Sequence, residues 1–275
     1  PPEEVTALYA GLNHLTFIFD LRWRGKDAWP LAKARLDEER GLPVDLEKIG
    51  QEFPEMGGRI GSFSASDNPF SWSLFERYGA YPSCNDRHVS EFFPQRFPNG
   101  QYPGGRTLGV DAFSFEGTIA WGDQIYADMR AQALGEKPLD AGIFERAEGE
   151  HEQLLEILRA IRDDSRRVFS ANLPNRGSVP NLPYDAILEL PAAATARGLR
   201  PLQIPDLSDP LAGIITRKLS ATVLTTEAAL AGDRGLFVEA LLADGAVVDP
   251  EIAGKLADEL LEAHRKDLPN FFPEG

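Results

Sequence analysis

The chain is poor in the residue types that most often carry chemistry: one cysteine, Cys84, four histidines and two methionines among 275 residues. A lone thiol closes no internal disulfide, which fits a reducing compartment, and the expected location is the cytoplasm. Apolar runs are only a few residues long, so no segment is expected to span a bilayer. Basic residues are outnumbered, 28 against 43 acidic ones, for a formal net charge of −15. Such a field repels phosphate backbones and argues against nucleic acid as a partner, although a local Arg or Lys could still hold a small anion. No Gly-x-Gly-x-x-Gly links a strand to a helix, and Gly57-Gly58 and Gly104-Gly105 lack that spacing, so no dinucleotide or phosphate loop is recognisable. There is no internal repeat, low-complexity tract or basic-then-apolar leader at the start. Pro1-Pro2-Glu3-Glu4 carries no initiator Met and is expected to be an internal cut or a processed end.

What is present describes an ordinary folded protein. Hydrophobic residues at 43% and charged residues at 26% exclude a disordered chain, and the length suits one large domain or two small ones. Gly11 to Leu21 has the aromatic and β-branched content of one strand, with His14, Thr16 and Ile18 on one face. Helices are expected over Asp27 to Arg40, up to Tyr78, over Gly117 to Ala133 and over Glu148 to Asp163, where Leu154, Leu155, Leu158 and Ile161 recur at helical spacing. The Pro- and Gly-rich residues 94–118 read as a long loop. Ala186 to Leu190 reads as a short strand. Asp209-Pro210 and Asp249-Pro250 each read as an N-cap and a first helical residue, and Gly232 as a stop. The expected class is α+β, rich in helix, with short strands.

Among the histidines, His151 and His264 lie in charged helical stretches and are expected to be exposed. His14, beside Asn13 in an apolar strand, is either a buried hydrogen-bonded histidine or a metal ligand. Tyr81 to Pro94 is the densest cluster of reactive side chains. It reads either as a polar loop opening a short helix capped by Asp86, or as a site in which Arg87, His88 and Glu91 share a helical face and orient a carboxylate for proton transfer. Asp86 and Glu91 could also be read as a glycosidase acid pair, a weak signal because two acids five apart are common. Cys84 is a candidate nucleophile or ligand, or simply a small buried hydrophobe.

These segments resemble glycoside hydrolase family 4. The family's Gly-x-Asn-His motif matches Gly11-Leu12-Asn13-His14. Its central pattern matches Pro82, His88, Glu91, Phe92 and Pro94. Asn172-Leu173-Pro174-Asn175-Arg176-Gly177, Pro180-Asn181-Leu182-Pro183, Glu189-x-Pro191 and the helix around Leu224 to Leu230 continue the match. Asp86 to Phe92 is most similar to members acting on uronic acid glycosides, the α-galacturonidase and α-glucuronidase types.

The resemblance implies a fold akin to the substrate domain of lactate and malate dehydrogenases, spanning residues 1–275, without the Rossmann domain that opens family members. The cysteine that precedes Gly-x-Asn-His in the family has no match, since Cys84 lies downstream of His14. The implied reaction uses NAD and a divalent metal, usually Mn²⁺. Oxidation at C3 of the sugar acidifies the C2 proton, a base removes it, the aglycone is eliminated, water adds at C1 and C3 is reduced again. By position His14 is the implied metal ligand, and Asn13, Arg87, His88 and Glu91 would contact the sugar. Asp86 is the first candidate for the base and Tyr81 the second. A sugar glycoside substrate, the Rossmann half and a second copy of the chain, as homodimer or homotetramer, are the implied partners. The isolated chain is expected to be inactive. The competing readings are a non-catalytic ligand-binding or oligomerisation domain, and the substrate domain of a hydroxy-acid dehydrogenase.

Overall fold

In a computed structural model the structure describes residues 4–54, 68–97, 115–140, 142 and 153–273; the side chains of Glu39, Leu46, Glu52, Arg87 and residues 115–118 lie outside that description. The chain forms two compact units, one from residues up to 98, 170–192 and 201 onward, the other from residues 99–169 and 193–200. The architecture is α+β with an antiparallel sheet.

The first unit opens with strands β1 (Val5–Leu12), β2 (Leu15–Trp23) and β3 (Lys26–Asp27). The single strand expected over Gly11 to Leu21 is therefore two strands, paired Leu12↔Leu15 around a two-residue turn, Asn13-His14. The turn was not legible because it contains no Gly and sits between apolar residues. The partners β1–β2, β1–β6, β2–β3 and β2–β4 are all antiparallel, and the sheet order is β3-β2-β1-β6-β5, with β4 (Tyr81–Pro82) on β2 and β7 (Gly198–Pro201) on β6. Here β5 is Val168–Pro174 and β6 is Ile187–Thr195, longer than the five residues expected because it continues through Pro191. Leu15, Phe17, Leu188 and Leu190 are fully buried, each stabilising the unit by about 1.5–3 kcal/mol.

Helices α1 (Trp29–Glu39), α2 (Leu46–Glu52) and α3 (Pro69–Tyr78) follow. Ala34, Ile49 and Phe53 pack together, with Trp23 against them, while Leu36 of α1 meets Trp72 of α3. Helix α3 ends at Gly79, whose φ of 68° an L-residue adopts at a cost. Then come the single turn α4 (Asp86–Val89) and a 3-10 turn, Ser90–Phe92. In the second unit, α5 (Phe115–Ala133) and α6 (Gln153–Arg162) agree with the expected helices, and Ala160 packs with Phe169 and Ala194. Most of the expected 94–118 loop, together with His151, Gly57-Gly58 and Gly104-Gly105, lies outside the described residues.

The C-terminal helices are α7 (Asp209–Ala231), α8 (Arg234–Asp244) and α9 (Pro250–Ala263), with α7 on α8 and α8 on α9. The N-cap of α7 is Ser208, so Asp209 is the first helical residue rather than the cap; Asp249 does cap α9, accepting from Glu251 N and Ile252 N. No described helix is long and apolar enough to cross a membrane.

Candidate active site

The tip of the β1–β2 hairpin is shaped by Gly11. A Cβ at that position would lie 2.1 Å from the Leu15 carbonyl oxygen and 2.7 Å from Thr16 Cα, so only glycine lets the returning strand pass so close. The turn then places His14 at φ 67°, a left-handed conformation that costs an L-residue about 1–2 kcal/mol. Both Asn13 and His14 are exposed. Behind them the Thr16 hydroxyl lies 3.1 Å from the Leu12 carbonyl and 2.9 Å from Glu189 Oε2, and the Ser170 hydroxyl donates to Glu189 Oε1 at 2.8 Å. Glu189 faces Gly11 across the β1–β6 ladder, so one carboxylate joins three strands just behind the turn.

The second segment arrives alongside. Ser83 N donates to the Thr16 carbonyl at 2.9 Å, and β4 pairs Pro82 with Phe17. Asn85, not Asp86, caps α4, accepting from His88 N at 3.3 Å. This brings the His88 ring onto the His14 ring, with centroids 4.4 Å apart and planes at 44°, and His88 Nε2 contacts His14 Nδ1. On the other side of His88, Nδ1 lies 3.8 Å from Glu91 Oε2. A carboxylate behind one imidazole nitrogen favours a proton there and leaves the other nitrogen as a lone-pair donor. The two imidazoles, of which only His88 has a carboxylate behind it, have the donor chemistry of a divalent transition-metal site. They supply part of a ligand set only, since among the described residues no three His, Cys, Asp or Glu side chains converge.

Asp86 is turned into the protein. It is 3% exposed; Oδ2 accepts from Phe70 N at 2.7 Å, and Oδ1 accepts from Ser71 N at 2.7 Å and from the Ser71 hydroxyl at 2.6 Å. In return Asp86 N donates to Asn68 Oδ1 at 2.8 Å. The carboxylate thus satisfies the free N–H groups at the start of α3, where a negative charge is also favoured by the helix dipole. Tyr81 packs on Trp72, with ring centroids 4.8 Å apart. Burial pushes its phenol up to about 12, the Asp86 charge adds to the rise, and a hydrogen bond with Ser71 opposes it. The structure therefore brings His14 and His88 together with Glu91 behind His88, has Asn13 next to His14 in the turn, and ties Asp86 and Tyr81 to α3 as a brace. The Arg87 side chain lies outside the described set. Cys84 is half-buried, and His264 is exposed at the end of α9.

Three polar features were given no role by the sequence. Glu189 was marked only as part of the Glu189-x-Pro191 match. Asn175 is fully buried: its amide nitrogen reaches the carbonyls of Val179, Leu182 and Pro183 at 3.0–3.1 Å, and its oxygen accepts from Val179 N at 2.7 Å. The Asn-rich motif is thus a loop clasp. Lys218 is 4% exposed on α7 and donates to the Asp244 carboxylate at 2.7 Å and carbonyl at 2.8 Å. A lysine in a helix reads as surface, so nothing signalled its burial.

The family described as "Family 4 glycosyl hydrolase C-terminal domain" matches residues 9–247, which include the hairpin tip, the 81–91 segment and Glu189. The chain belongs to glycosyl hydrolase family 4. Among the family 4 relatives, an alpha-galacturonidase of Bacillus subtilis (strain 168) is 28% identical over 262 residues, covering 94% of this chain and 54% of the relative. A second alpha-galacturonidase, from Thermoanaerobacterium saccharolyticum, is 27% identical over 273 residues, covering 98% and 55%. The chain spans about half the length of the curated relatives it matches. A 6-phospho-alpha-glucosidase from gut microorganisms, solved in complex with NAD and Mn2+, superposes with a TM-score of 0.68 at 19% identity, covering 97% of this chain and 57% of that one. The 6-phospho-beta glucosidase of Thermotoga maritima, solved with manganese, NAD+ and glucose-6-phosphate, gives 0.67 at 18% identity, covering 98% and 56%. At those identities the likeness establishes the fold.

Proposed function

We propose that this chain is the substrate- and metal-binding portion of an NAD- and divalent-metal-dependent glycosidase acting on α-glycosides of uronic acids. The observation that carries the reading is the meeting of His14 and His88 at a hairpin tip inside a family 4 C-terminal domain. His14 Nδ1 and His88 Nε2 would hold a divalent metal such as Mn²⁺, and the partner Rossmann half would bring NAD. When bound, these groups supply hydride transfer at C3 of the sugar and polarisation of its oxygens.

The chain's own residues do the rest. Glu91, 3.8 Å from His88 Nδ1, would help orient the ring so that Nε2 could be offered to a metal. Asn13, exposed beside His14, orients the sugar through its amide. Asp86 acts as a positioning residue, because both of its oxygens are taken by α3, and it holds α4 so that His88 stays on His14. Tyr81 keeps its proton through neutral pH and extends that brace. The sugar carboxylate falls to Arg87, whose guanidinium can grip it with two parallel hydrogen bonds. The two galacturonidase relatives support the uronate choice. The antiparallel sheet and long helices accord with a fold akin to the lactate and malate dehydrogenase substrate domain. Val223 and Leu230, exposed on α7, support a homo-oligomer, and the lone cysteine supports a cytoplasmic enzyme.

The test is an assay of the full-length protein with NAD⁺, Mn²⁺ and a reductant against a panel of aryl glycosides. Hydrolysis of an α-galacturonide or α-glucuronide in preference to neutral sugars is expected. No hydrolysis of any glycoside would remove the enzyme reading, and preference for neutral or 6-phosphorylated sugars would remove the uronate reading.

A further inference from the structure

A cavity of about 570 Å³ opens in the first unit beside the hairpin tip. It shares two stretches of chain with the imidazole pair. Asn13 lines it and directly precedes His14; Phe92 lines it and directly follows Glu91. The cavity and the imidazole pair are thus built on the same two short stretches of chain, residues 13–14 and 88–92. The volume falls in the range of small-molecule sites, about 300–1,000 Å³.

The lining decides what fits. Leu12, Ile187, Ala221, Leu241 and Val247 make an aliphatic wall, with Phe92 as an aromatic panel. Amides enter from Asn13 and Asn172. The Thr222 and Thr225 hydroxyls donate back to the carbonyls of Lys218 and Ala221, leaving their oxygens free to accept. Lys218 and Asp244 also line the cavity, but the ammonium is bound by that carboxylate and lies 5.9 Å from the Phe92 ring centroid. The paired charges cancel, so among its described lining residues the cavity offers no unneutralised cation for a carboxylate or phosphate. Apolar walls with scattered uncharged polar groups instead match a neutral ring, apolar on its faces and polar at its edge.

We propose that this cavity is the subsite for the leaving group of the glycoside, and that it takes an uncharged ring, carbohydrate or aryl. The inference rests on the glycosidase reading and places the departing half of the substrate, whereas Arg87 was assigned to the retained sugar.

Thr222 is exposed on α7, so Thr222→Trp fills the cavity from its rim without disturbing the core. With the full-length protein, NAD⁺ and Mn²⁺, kcat/KM is compared for the methyl glycoside and the aryl glycoside of one sugar. The aryl glycoside is expected to lose at least about tenfold, and the methyl glycoside at least about fivefold less. Equal losses on both, or no loss on either, would overturn the proposal; circular dichroism checks folding, and Thr225→Trp, also at the rim, replaces a variant that does not fold. If the wild type cleaves no glycoside, the function reading fails separately. The cavity is then probed by saturation-transfer NMR with free phenyl β-glucoside. Binding to the wild type that Thr222→Trp abolishes supports a neutral-ring site, and no binding overturns it.

Discussion

His14 Nδ1 and His88 Nε2 are in contact although 74 positions of sequence separate them. One ring sits on a turn that Gly11 permits, the other on a single helical turn tied to α3 by Asp86. Each device has a measurable consequence.

The backbone at His14 is left-handed, and the side chain is the proposed ligand. His14→Gly relieves a conformation that costs about 1–2 kcal/mol, which the greater freedom of glycine in the unfolded chain offsets. The melting temperature is expected to stay within a few degrees of wild type, while Mn²⁺ affinity of the full-length protein falls at least about tenfold. Calorimetric titration measures the second quantity; unchanged affinity would show that His14 is no ligand.

Gly11→Ala tests the close crossing directly. The added methyl meets backbone rather than a flexible side chain, so the hairpin must shift, with an expected loss of about 2–4 kcal/mol in denaturant unfolding. A loss below about 0.5 kcal/mol, the size of a neutral surface change, would mean that the strands separate freely here.

Asp86→Ala leaves the Phe70 and Ser71 N–H groups without their buried acceptor. The expected destabilisation is about 2–4 kcal/mol, with Asp86→Asn losing less because an amide oxygen still accepts one of them. If Asp86 were instead the base, both variants would abolish turnover even under conditions where each remains folded, whereas a positioning role leaves the folded Asp86→Asn variant with measurable turnover. Parallel measurement of unfolding and turnover separates the two.

Tyr81 titrates late, at about 12, against an ordinary value of 10.0. Its folded pKa is raised, so the neutral phenol contributes stability that is fully present below pH 10 and is lost as pH climbs through about 12. Because the side chain is only partly buried, that contribution is discounted to about 1–2 kcal/mol. Tyr81→Phe should flatten the alkaline fall in stability and remove one late step from the tyrosinate absorbance titration. Tyr9 is raised too, by burial first and by the Glu189 charge, so its own late step is kept in the variant.

Much of the fold was written locally. Pro250 behind Asp249, Gly232 after the apolar spacing of α7, and the helical spacing of Leu154, Leu155, Leu158 and Ile161 in α6 are signals contained within a few turns of chain, and those helices form where they point. The motif around Gly11, Asn13 and His14 and the one around His88 and Glu91 marked the two segments of the site. Sequence periodicity did not reveal the Asn13-His14 turn, because an alternating apolar run reads the same whether it continues or folds back. Nor could it orient Asp86, bury Lys218 against Asp244 or set Glu189 behind the turn. Those contacts join residues 15 to 173 positions apart. Their geometry depends on strand register and helix packing, which are fixed only when the whole unit buries its core. Local preference decided which elements form; the tertiary structure decided which side chains meet.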